Sequence, residues 1–205
     1  MATPFAGVSS SRGGGIAWLR LPAVLLIAWW TLGLLGHGGQ AWCFIDWVNL
    51  PFHEAGHLVF QPFGETLHIL GGTLGQLLVP LGLGAYFLFR RPNPFAAALC
   101  SWWFGENFVN IAAYMADARD MKLPLVGGGE QDWTSLFYQF GLLGEESVRH
   151  VSAATRLLGV LLMLAGIAWS AYFVLPAGRR EAIREWIGAR LPAVRPFLEI
   201  EGPSD

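Results

Sequence analysis

The chain has 205 residues, of which 54% are apolar and only 14% charged, a balance that excludes intrinsic disorder and argues against an ordinary water-exposed surface. Thirteen Lys and Arg against fifteen Asp and Glu leave a net charge of −2, so there is no basic field to hold a phosphate backbone, and nucleic acid is excluded as an expected partner. Two cysteines, Cys43 and Cys100, each inside an apolar run, read as small buried hydrophobes and not as a disulfide framework.

Ten tryptophans and 26 glycines fit a polytopic all-α membrane helix bundle, in which glycine lets helices approach and tryptophan sits near the headgroups. About 20 mostly apolar residues cross a bilayer core, and five spans are expected. Residues 1–15 read as a flexible N-terminal tail, and 16–176 as the membrane domain. Its first span is Ile16 to Gly36, an uncleaved anchor in which Arg20 snorkels to the interface. The second, Ala41 to Phe60, contains Asp46, His53, Glu54 and His57. The third, Thr66 to Phe89, opens on His68-Ile-Leu-Gly-Gly-Thr-Leu-Gly-Gln76, a glycine-rich stretch expected to be irregular or extended before the helix begins.

Phe95 to Ala116 forms the fourth span and is uncharged except for Glu106. A polar connection from Asp117 to Ser152 follows, with one short helix at Trp133 to Leu143, and Leu157 to Leu175 is the last span. Residues 177–205 read as an interfacial helix, Arg179 to Leu191, and a C-terminal tail. The arginine-rich tail favours a cytoplasmic C-terminus. The expected location is therefore integral and multi-pass, in a bacterial inner membrane.

Carboxylates and imidazoles at membrane depth cost a few kcal/mol each, so they pair or bind something. His53-Glu54-Ala55-Gly56-His57 has the HExxH pattern. On a helix its two imidazoles, four residues apart, project from one face and can share Zn2+, while Glu54 is placed to take a proton from water acidified by the metal. A hydrolytic zinc site needs a third protein ligand. Position 63, where an extended HExxH pattern would put another His, is Phe63, and His68 reads as an interface residue. Glu106, Asn110 and Asp117 fall within about 40° of arc at 100° per residue, a polar stripe down an apolar helix. That stripe either hydrogen-bonds neighbouring helices or supplies the ligand. Thr73 and Gln76 are expected to join the wet lining of the site, and Trp102 and Trp103 to pack.

HEAGH in a membrane span, followed by a helix ending Asn110-Ile-Ala-Ala-Tyr-Met-Ala-Asp117, resembles the site-2 protease family of intramembrane zinc metalloproteases over about residues 42 to 120. The resemblance implies metal ligands His53, His57 and Asp117, with Glu54 as catalytic base. Glu106, on depth, and Asp132, in the loop Gln131-Asp132-Trp133, are alternatives for the third ligand. The Gly71–Gly75 stretch resembles the segment that aligns an unwound substrate by strand addition in such proteases, and reads equally as a helix-packing surface. The expected activity is a zinc metallopeptidase that hydrolyses a membrane protein or peptide substrate in or beside the lipid bilayer, a minimal catalytic core. The alternatives are a non-proteolytic membrane scaffold or metal-binding protein and, behind it, a transporter.

Overall fold

A computed structural model of the chain describes residues 12–36, 44–125 and 130–191, with side chains from residue 18 onward. The described residues form seven α-helices: α1 (Arg12–Gly36), α2 (Phe44–Phe60), α3 (Glu65–Phe89), α4 (Pro94–Asp117), α5 (Asp132–Gln139), α6 (Glu145–Tyr172) and α7 (Ala177–Arg190). A single 3-10 turn, Gln61–Phe63, joins α2 to α3. Cys43 and the tails at 1–11 and 192–205 lie outside the described residues.

Three helices are long and apolar enough to cross a membrane: Trp18–Gly36 in α1, α3 and α6. They coincide with the first, third and fifth expected spans. The other two, α2 and α4, carry the buried polar groups Asp46, Asn49, Glu106 and Asn107, which lower their apolarity. The last span starts earlier than its hydropathy suggests, because the helix begins at Glu145 and its first turns pack Val148 against α4 and α5.

The expectation of irregular backbone at 68–76 is corrected: α3 is helical without interruption from Glu65 to Phe89. Glycine weakens an isolated helix, but here tertiary contact repays it. Gly64, with φ +100°, turns the chain back so that α2 and α3 lie against each other. Their backbones then meet at Gly56, Gly71 and Gly75. A Cβ on Gly56 would collide with the Gly71 carbonyl, and one on Gly75 with the Phe52 carbonyl. Of the two readings of this stretch, the packing surface is the one realised.

α4 starts where Asn93 accepts a hydrogen bond from Ala96 N (3.1 Å) and Pro94 fills the first helical position. It packs most extensively against α6, again through glycine. A Cβ on Gly105 would lie 2.7 Å from Met163 N, and one on Gly166 2.7 Å from Trp102 N. Trp102, Val109 and Met163 form the core there with Ile27 and Leu34 of α1. The Trp102 indole donates to Thr31 Oγ1 (2.9 Å), and the Arg20 guanidinium lies over the Phe95 ring at 5.3 Å. Gly105→Val is expected to destabilise the protein by about 2–3 kcal/mol, because two of the three atoms its Cβ would meet, Met163 N and the Gly159 carbonyl oxygen, are backbone that cannot move aside. Thermal unfolding of the detergent-solubilised protein measures it.

α7 buries no residue. It leaves Trp186 exposed with the Arg190 guanidinium 4.1 Å above its ring, as an amphipathic surface helix does.

Candidate metal centre

Four elements build the site. On α2, His53 and His57 stand one turn apart with ring centroids 4.8 Å apart and planes at 84°. α3 fixes both rings from behind. His53 Nδ1 lies 3.0 Å from Gln76 Oε1, and His57 Nδ1 lies 2.8 Å from the carbonyl of His68. His68 closes the exchange by donating from its own Nδ1 to the His57 carbonyl (2.9 Å). A carbonyl only accepts, so His57 carries a hydrogen on Nδ1, which leaves Nε2 as the ring atom that faces Asp132. Gly72 permits the arrangement, since a Cβ there would sit 2.5 Å from His53 Nε2 and 2.6 Å from His57 Nε2.

The third group is Asp132. Its Oδ2 is 3.0 Å from His53 Nε2 and 3.3 Å from His57 Nε2. Oδ2 is buried, and the two ring nitrogens are the groups it faces. A buried carboxylate oxygen beside two ring nitrogens is costly unless a shared hydrogen or a cation joins them. The three ligand atoms lie within 4.8 Å of one another and could hold a metal ion. Two ligands each about 2.0–2.1 Å from a tetrahedral ion such as zinc are about 3.3 Å apart, close to the 3.0 and 3.3 Å that separate Asp132 Oδ2 from the two Nε2 atoms.

Asp132 is held there by the connection between α4 and α5. Thr134 Oγ1 donates to the Ala118 carbonyl (2.5 Å), and the buried Phe137 seats α5 against α4 and α6. Phe140 ends α5, and Gly141, with φ +68°, lets Leu142 N reach the Phe137 carbonyl (2.7 Å). At the helix start, Gln131 Nε2 donates to Asp117 Oδ2 (3.3 Å).

That last contact gives Asp117 a different place from the one expected of it. Asp117 does not join the two imidazoles; its carboxylate accepts from Lys122 N (3.0 Å), Leu123 N (2.9 Å) and Gln131, and so ties down the loop that delivers Asp132. Glu106 is also elsewhere. Only 1% exposed, it accepts from Asn49 Nδ2 (3.0 Å), while Asn49 Oδ1 accepts from the Trp103 indole (2.7 Å) and Asn110 donates to Asp46 (2.7 Å). The polar stripe of α4 therefore hydrogen-bonds the polar face of α2 beside the site. Sequence reasoning did not single out Gln131, and the second role of His68, through its carbonyl, has no side-chain signature.

A cavity of about 230 Å³ opens over the centre, and Glu54 lines it together with His53, His57, Asp132, Thr73 and Gln76. Glu54 is exposed, as a group that exchanges protons with water must be. Comparison of the chain with protein-family models, with curated proteins and with solved structures finds no match.

Proposed function

We propose that the chain is a multi-pass inner-membrane zinc metalloprotease that hydrolyses peptide bonds in or next to the bilayer, with α2 and α4 spanning beside the three apolar helices. The observation that carries this is the convergence of His53 Nε2, His57 Nε2 and Asp132 Oδ2 beside a cavity that Glu54 also lines. His53, His57 and Asp132 would hold the zinc, which supplies Lewis acidity that polarises the scissile carbonyl and acidifies water.

The chain's own groups do the rest. Glu54 takes the proton of the attacking water as oxygen bonds to the carbonyl carbon, then returns it to the departing amine as the C–N bond breaks. Gln76 and the His68 carbonyl keep both imidazoles turned toward Asp132, which spares their reorientation during the reaction. The apolar surfaces of α1, α3 and α6 suit a lipid surround, and the substrate is a membrane protein or peptide.

In the test, purified wild type holds about one zinc per chain and cleaves a membrane-helix substrate. A chelator stops the reaction and added zinc restores it. Glu54→Gln keeps the zinc and loses on the order of 10³-fold in rate. Equal rates in wild type and Glu54→Gln refute the reading, and zinc binding without cleavage of any membrane substrate favours the metal-binding scaffold.

A further inference from the structure

A threonine inside a helix commonly satisfies its hydroxyl on the carbonyl four residues back, as Thr31 does on Ile27 (2.7 Å). Thr73 of α3 does not. It is 4% exposed, it lines the cavity over the metal centre, and its Oγ1 has no hydrogen-bond partner among the described residues. Its chain neighbour Gly72 abuts both imidazole Nε2 atoms, so the hydroxyl belongs to the residue next to the one touching the centre.

Four of the other polar groups on the cavity wall are already engaged. Asn49 donates to Glu106, Asn110 to Asp46, Gln131 to Asp117 and Tyr114 to the Pro124 carbonyl. Glu54, Glu130 and Asp132 bring carboxylates, which accept when ionised. Peptide hydrolysis puts negative charge on the carbonyl oxygen, and a hydrogen-bond donor already fixed in a buried site stabilises that charge with little reorganisation.

We propose that Thr73 is a catalytic residue whose hydroxyl donates to the scissile carbonyl oxygen as it becomes anionic, an assignment that rests on the proteolytic reading above. The bond strengthens with the charge, so its loss falls on kcat and leaves KM nearly unchanged. Thr73→Val keeps the shape and removes the donor, and Thr73→Ser keeps the donor.

The full chain is tested with zinc content, kcat and KM on a membrane-helix substrate, and thermal unfolding of the metal-free protein. Thr73→Val is expected to bind zinc as wild type does and lose about 10²-fold in kcat. Metal-free, it melts at or above the wild-type temperature, because a buried hydroxyl without a partner gives way to a methyl group. Thr73→Ser recovers most of the rate. The assignment is overturned if Thr73→Val retains kcat, raises KM alone, loses zinc or melts lower than wild type. Wild type that cuts while Thr73→Val cuts as fast overturns this assignment alone; wild type that holds zinc and cuts nothing overturns the proteolytic reading with it.

Discussion

Asp132→Ala is expected to lose zinc while Asp117→Ala keeps it, although both residues are acids close to the same end of α4. Structural zinc sites bind with about 10–16 kcal/mol, so one of a few ligands is worth roughly 3–4 kcal/mol, and removing Asp132 lowers affinity on the order of 10²–10³-fold. Asp117 acts through Gln131 and the amides of Lys122 and Leu123, which hold the segment ahead of Asp132. Loss of such an outer partner costs about 10-fold in affinity. Competition with a fluorescent zinc chelator, on detergent-solubilised variants, gives both constants. The reverse order would return the third position to Asp117 and leave the contact of Asp132 with both imidazoles without a role.

The legibility of this site in the sequence follows from how far apart its parts lie along the chain. His53, Glu54 and His57 could be read together because one helical turn fixes their relation, and helix periodicity is local physics. Asp132 comes 75 residues after His57, at the start of an eight-residue helix whose position depends on Phe137 finding α4 and α6. Nothing in Gln131-Asp132-Trp133 announces that packing, so Asp132 stood as one of three acids. Helical periodicity did bring Glu106 and Asn110 to one face, yet it could not say what faced them; the answer, Asn49 and Asp46, lies on another helix. The same limit governs Gly71, Gly72 and Gly75. Intrinsic propensity counts them against a helix, whereas their use is to admit the α2 backbone and two imidazole rings, a contact absent from the local sequence.

Gly72→Ala separates the stability of α3 from the function it supports. Alanine in a helix interior is favoured over glycine by about 1 kcal/mol, and Gly82→Ala in the same helix, where a Cβ would meet nothing within 4 Å, is expected to gain that amount and keep zinc binding unchanged. At position 72 the added Cβ would lie 2.5 Å from His53 Nε2, 2.6 Å from His53 Cε1 and 2.6 Å from His57 Nε2. These atoms end flexible side chains, so the rings can swing aside and the helix need not break. Swinging aside, however, surrenders the hydrogen bonds to Gln76 and the His68 carbonyl and carries both Nε2 atoms away from Asp132. Gly72→Ala is therefore expected to fold and, without metal, to melt within a few degrees of wild type, while its zinc affinity falls by on the order of 10²-fold or more and cleavage falls with it. A Gly72→Ala protein that binds zinc as tightly as Gly82→Ala would mean that no ion sits between these nitrogens, because the space the ion needs is the space the methyl group takes.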